Sequence, residues 1–160
     1  MKVIYKLGND ISTDHIYPGR YMATVLPSET PAYAFGDMED LNKLLNEGNK
    51  SETRILIAGS NFGTGSSREQ AVSTLVGHNL IIIANDFARI FFQNSINLGL
   101  RTIACPGFEA EVDDEIEILE DKVVNLTRGK EYASVPVPAA RKAIVDAGGL
   151  IAYTRKLILG

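Results

Sequence analysis

Three consecutive side chains, Ser66, Ser67 and Arg68, carry the densest chemistry in this sequence, directly behind the run Gly59-Ser60-Asn61-Phe62-Gly63-Thr64-Gly65. Glycines permit the sharp bends that turn successive backbone N–H groups toward one ligand. Two hydroxyls and a guanidinium beyond them suit a substrate bearing carboxylates or phosphates. A helix starting at Ser66 would add the positive end of its dipole. The same residues admit a structural account, because Ser66 followed by Glu69 has the spacing of a helix capping box. The run lacks the Lys-[Ser/Thr] of a phosphate-binding loop and the G-x-G-x-x-G spacing of a dinucleotide site, so nucleotide binding is not indicated. A second stretch, Gly8 to Ile16, sets Asp10 and Asp14 beside His15 among turn formers. It is either a surface loop with Asx-type turns or a site loop in which Asp14 and His15 orient groups or move protons.

The elements that must position these residues follow from hydrophobic pattern. Lys2 to Leu7 reads as a strand, as do the apolar runs Arg54 to Ala58, Leu80 to Ala84 and Leu100 to Ala104. Helices are expected from Ser66 to about Gly77 and from Ala88 to Leu98, the second capped by Asn85-Asp86 and stopped by Gly99. Strand, helix, strand, helix, strand with short links implies parallel pairing through right-handed crossovers. Tyr17 to Pro31 holds three prolines and little periodicity, which marks a functional or mobile segment. Apolar spacing at Phe35, Met38, Leu41, Leu44 and Leu45 predicts a core-facing helix over 34–46. After Phe108 come short strands at 115–119, 122–126 and 131–135, then helices over 139–147 and 150–159. The first of these helices is expected to cover a sheet face. Phe87, Phe91 and Phe92, with Arg89 and Asn94, read as core packing and helix surface; Cys105 reads as a small buried filler. No linker or repeat divides the chain, so residues 1–160 are expected to form one α/β domain.

Composition limits the functions available. At 160 residues the chain can bury roughly two-thirds of its unfolded surface. A net charge of −4 leaves no basic footprint for nucleic acid. Met1-Lys2 leads directly into strand-like residues, which predicts no signal peptide, and the apolar run Leu80 to Ala84 is far too short to span a bilayer. A single cysteine excludes an internal disulfide and suits a reducing cytoplasm. With only His15 and His78 besides, the chain cannot ligate a cysteine-bound metal cluster by itself.

Three blocks in order carry a resemblance to a known family. Gly59 to Ala71 resembles the G-x-N-[FY]-G-x-G-S-S-R-E motif of the aconitase superfamily's swivelling domain. Ser12-Thr13-Asp14-His15-Ile16 is similar to that domain's T-D-x-I segment, and Asp86 to Phe91 with Asn94 to its S-F-A-R-I-F-x-x-N helix. Length and near-immediate start resemble the freestanding small subunits of the 3-isopropylmalate dehydratase type. The resemblance implies a single three-layer swivelling β/β/α domain with a mainly parallel central sheet and additional short C-terminal strands. It implies a hydro-lyase subunit that acts only with a large subunit, as heterodimer or heterotetramer. That partner, not this chain, would hold a 4Fe–4S cluster, so no metal site is expected here. It assigns Ser66 as catalytic base, Asp14 as the loop aspartate, and Gly65, Ser67 and Arg68 to substrate carboxylate. The stretch Tyr21-Met22-Ala23-Thr24 corresponds to the family's specificity loop. Ala23 stands where relatives that act on a third carboxylate have arginine, which favours a small apolar branch, because a buried carboxylate without a partner is costly. A branched malate follows: isopropylmalate in leucine biosynthesis, with dimethylmalate, a homoaconitase substrate or a purely anion-binding module as alternatives. Arg20 is a further candidate for a carboxylate, and His15 departs from the family pattern.

Overall fold

The computed structural model describes all 160 residues. Four strands, β1 (Val3–Lys6), β2 (Arg54–Ile57), β3 (Leu80–Ala84) and β4 (Arg101–Ala104), form an all-parallel sheet in the order β1-β2-β3-β4. Adjacent strands are therefore consecutive in the chain, each pair joined by a helical crossover. Between β1 and β2 lie α1 (Thr13–Ile16), two 3-10 turns (Gly19–Tyr21 and Thr30–Tyr33) and α2 (Glu39–Glu47). The other crossovers are α3 (Gln70–Val76) and α4 (Arg89–Leu98). Three further strands, β5 (Ile116–Ile118), β6 (Lys122–Asn125) and β7 (Lys130–Ala133), make a small antiparallel sheet, followed by α5 (Ala139–Asp146) and α6 (Leu150–Leu159).

Strand alternation explains the layering. Leu56, Leu80, Ile82 and Ala84 point to one face and join Leu41, Leu45, Val72, Leu75 and Phe91 of the helices. Ile55, Ile57, Ile81 and Ile83 point to the other face and pack on Ile116 and Val123 of the small sheet, with Cys105 and Ala110. The central strands β2 and β3, covered on both faces, are buried throughout and so read as near-continuous apolar runs, whereas the edge strands β1 and β4 are partly exposed. The result is the expected α/β stack: small sheet, parallel sheet, helices. A buried polar knot fixes the small sheet to its neighbour. Asp114 accepts from the Glu111 amide at 2.8 Å, Asn125 Nδ2 at 2.9 Å and Arg128 Nε at 2.7 Å. Its own carbonyl accepts from the Val3 amide of β1 at 3.1 Å.

Several boundaries differ from the pattern reading. Helix α3 starts at Gln70, so Ser66, Ser67 and Arg68 lie in the irregular segment before it and not on its first turn. Glu69 is the helix's N-cap and makes no side-chain cap bond, so the Ser66–Glu69 capping box does not form. The predicted 34–46 helix begins only at Glu39, because Phe35 has a left-handed backbone (φ 51°). Asp86 does not cap α4; its carboxylate takes the Asn61 amide at 2.6 Å, and Ala88 is the N-cap. Gly99 ends α4 in the left-handed region as expected. Helix α5 packs against α4 and α6 instead of covering a sheet, and buries no residue fully.

Candidate active site

Three loops meet at the carboxyl ends of β1, β2 and β3, the edge of a parallel sheet where ligands commonly bind. The glycine loop after β2 is pinned on both sides. It bridges to the β1–α1 loop through Ser12 and Thr64 and to the β3–α4 loop through Phe62 and Phe87. The Gly63 amide donates to Ile11 O at 2.7 Å and the Thr13 amide to Thr64 O at 2.8 Å. Asn61, at φ 59°, holds its turn with Nδ2 on Asp10 Oδ1 at 3.1 Å. Gly63, at φ 85°, is obligatory twice over, since an added Cβ would stand 2.2 Å from Phe91 Cγ. Gly65, at φ 108°, lets the chain pass Thr13, whose Oγ1 would be 3.2 Å from a Cβ there.

The loop delivers an exposed strip. Gly65, Ser66 and Ser67 are exposed and Arg68 is half-buried. The amide hydrogens of Gly65, Ser66, Ser67 and Arg68 meet no acceptor within the chain. Ser66 Oγ lies 3.3 Å from Thr13 Oγ1, a hydroxyl on buried α1 backbone. Arg68 is oriented from one side only. Its Nη1 donates to Asp14 Oδ1 at 3.0 Å and to Tyr17 O at 3.0 Å. Its Nη2 and Nε have no partner in the chain and are free to grip a carboxylate. Asp14 also accepts from the Gly19 amide at 2.9 Å. The Arg68 hydrogen bond first, then the Gly19 amide, hold the Asp14 carboxyl below its usual range. Asp14 is thus a fixed anion at neutral pH, suited to aiming Arg68 and not to shuttling a proton.

Of the residues singled out by sequence, Ser66, Ser67, Arg68, Gly65 and Asp14 converge here. Arg20 does not: its guanidinium pairs with Asp37, which with Tyr21 raises its pKa, and lies over the Tyr21 ring at 4.6 Å from the centroid. His15 is the capping partner of Ser12. Ser12 Oγ accepts the His15 amide at 3.1 Å and His15 Nδ1 accepts the Ser12 amide at 2.9 Å, a box that sets the start of α1. In the stretch Tyr21–Thr24, Tyr21 stacks on Tyr33 at 4.3 Å, while Met22 and Ala23 are exposed. Pattern reading had placed Asn94 with packing residues. Its Nδ2 instead donates to Ser67 O at 3.2 Å and so holds the serine pair from α4. The only signal for this was its place in the third block, six residues past Ala88.

Metal chemistry finds no ligand set in this chain. Cys105 is fully buried, its thiol facing the carbonyl oxygens of Ala133 at 3.4 Å and Tyr132 at 3.9 Å, and burial pushes it up to about 11. No three His, Cys, Asp or Glu groups stand together to hold an ion. These residues do not fit an iron–sulfur cluster.

Comparison with known proteins identifies the family. The Aconitase C-terminal domain model matches residues 27–107. The chain is 41% identical to the 3-isopropylmalate dehydratase small subunit of Methanosarcina acetivorans, over 96% of this chain and 95% of that one. It is 40% identical to the same-named protein of Aquifex aeolicus, over 96% and 92%. A crystal structure of 3-isopropylmalate dehydratase from Methanocaldococcus jannaschii superposes with TM-score 0.87 at 33% identity, covering 99% of this chain and 94% of that one. With motif, fold and full-length similarity in accord, the chain belongs to the aconitase superfamily's C-terminal, swivelling-domain family, among the small subunits of the 3-isopropylmalate dehydratase type.

Proposed function

We propose that this chain is the small subunit of a cytoplasmic hydro-lyase that interconverts 3-isopropylmalate and 2-isopropylmalate, a step of leucine biosynthesis. Water is removed from the 2-hydroxy dicarboxylate and re-added with the hydroxyl on the neighbouring carbon. The observation that carries this reading is the exposed Ser66 hydroxyl beside a guanidinium whose outer edge is left open. Ser66 Oγ takes the proton from the carbon that becomes part of the double bond, and returns it in the reverse step. A serine hydroxyl is a weak base at neutral pH, so positive charge and N–H donors must stabilise its alkoxide. The free amides of 65–68 and Arg68 supply part of that. Because α3 has only 7 residues and starts at Gln70, its dipole adds little at Ser66.

The remainder comes from a large subunit that closes over this open strip, excludes water and carries the 4Fe–4S cluster. Held by that partner, such a cluster would supply Lewis-acid assistance for loss of the hydroxyl; this chain contributes the proton acceptor and the carboxylate clamp. Arg68 and Ser67 bind a substrate carboxylate, Asp14 fixes the guanidinium, and the Tyr21–Thr24 turn receives the branch. The curated relatives compared carry the isopropylmalate name, which favours that substrate over a dimethylmalate or a homoaconitase substrate.

The decisive experiment reconstitutes the chain with a cluster-loaded large subunit and follows isopropylmalate turnover. Ser66→Ala is expected to lower kcat by at least a thousandfold while gel filtration shows the complex intact. Wild-type turnover in that variant complex would remove Ser66 from the chemistry.

A further inference from the structure

Tyr17 touches both halves of the proposed site yet belongs to neither. It is fully buried, on the residue that closes α1. Its main-chain carbonyl accepts Arg68 Nη1 at 3.0 Å. Its phenol hydroxyl lies 3.1 Å from Tyr21 O and 3.1 Å from Thr24 O, so one proton is shared between the two ends of the Tyr21–Thr24 turn. The ring packs edge-on against Tyr21 at 6.3 Å and Tyr33 at 6.4 Å. Burial raises the phenol above its usual value of 10, so this donor stays protonated across the working range.

Past Tyr21, whose ring stacks on Tyr33, the turn has few other contacts. Within it, the Thr24 amide donates to Tyr21 O at 2.9 Å, and the Met22 amide to Gly19 O at 3.2 Å. Met22, Val25 and Leu26 are 37%, 61% and 54% exposed and gain no support from the core. The far end of the segment is fastened separately on α3 and the residues behind it. Thr74 Oγ1 donates to Thr30 O at 2.6 Å, and His78 Nε2 sits 2.6 Å from Pro31 O. Tyr21 is held at the start of the turn by its stack on Tyr33, and the phenol is the side-chain donor that ties this start to Thr24 at the turn's end.

We infer that Tyr17 is a positioning residue that ties the geometry of the branch-receiving turn to that of the carboxylate clamp, and so sets how strongly the enzyme distinguishes branched from unbranched 2-hydroxy dicarboxylates. The inference rests on the function proposed above for its kinetic part only. Tyr17→Phe keeps the ring packing and the carbonyl that holds Arg68, and removes only the shared hydrogen bond.

Two measurements test it. In the free chain, hydrogen exchange of the Thr24 amide should quicken about tenfold in Tyr17→Phe, the size expected for one net hydrogen bond, with α3 amides unchanged. In the reconstituted complex, a panel of malates bearing no branch, a methyl or an isopropyl group should show KM rising about fivefold for isopropyl and less than twofold for unbranched malate. Unchanged Thr24 exchange, or a KM shift equal across the panel, would overturn the assignment. If the wild-type complex turns over none of the three, the proposed function fails, and the exchange result alone still decides whether the phenol holds the turn.

Discussion

The proposed role of Arg68 rests on its setting as much as on its charge. Nη1 is committed to Asp14 and Tyr17 O, which aims the free edge of the fork outward. A lysine keeps the charge but cannot satisfy both inner acceptors and a carboxylate together. Arg68→Lys is therefore expected to raise KM about tenfold or more in the reconstituted enzyme, with kcat less affected, measured by initial rates. Asp14→Asn should raise KM as well, by loosening the guanidinium. Because the Asp14 carboxyl is held below its normal range, it is ionised throughout the neutral region. The variant's defect should therefore be the same at pH 6 and pH 9. A defect that grows on one side would mean that Asp14 moves a proton after all.

At the scale of elements, two features fix the loops on the sheet. The first is contact between Gly63 and the Phe62/Phe87/Phe91 cluster, whose Phe62–Phe91 rings meet edge to face at 5.2 Å. Gly63→Ala faces both a left-handed backbone and a filled space, so it should destabilise by roughly 2–4 kcal/mol in urea unfolding. The second is the Asp114 knot that holds the small sheet to β1. Hydrogen bonds from the Glu111 amide, Arg128 and Asn125 lower the Asp114 carboxyl to about 2. A depressed carboxylate stabilises the fold above its unfolded pKa, about 3.9, and that contribution is lost as pH falls toward 2. The urea midpoint of the wild type should fall over that window. In Asp114→Asn the fall should be smaller and the midpoint at pH 7 already lower.

For the molecule as a whole, the proposed function assigns this chain the exposed strip at 65–68 and assigns the cluster to a large subunit. The isolated chain is expected to give no turnover with isopropylmalate and to bind no iron by absorbance. Adding a cluster-loaded large subunit should restore activity in proportion to complex formed. Turnover by the lone chain would contradict the division of labour proposed here. Helix α6 buries none of its residues, and Ile151, Leu157 and Ile158 are among its exposed apolar side chains.

The sequence alone determined the parallel core, because strands buried on both faces must be apolar throughout and such runs are visible without coordinates. It also disclosed the family, because the long glycine, hydroxyl and arginine motif of residues 59–71 is visible without coordinates. Gly99 as the α4 stop was legible for the same local reason, a left-handed backbone that glycine adopts freely. What only the tertiary structure decided is how those residues are held. Before α3 starts at Gln70, Thr64 pairs with the β1–α1 loop by accepting the Thr13 amide, a long-range contact that no helix signal encodes. Asn94 on Ser67 O, His15 as a cap and Arg20 on Asp37 are likewise choices among partners. Each of these polar groups could have served the substrate. Distance in the folded chain, which composition and spacing do not contain, selected the partner.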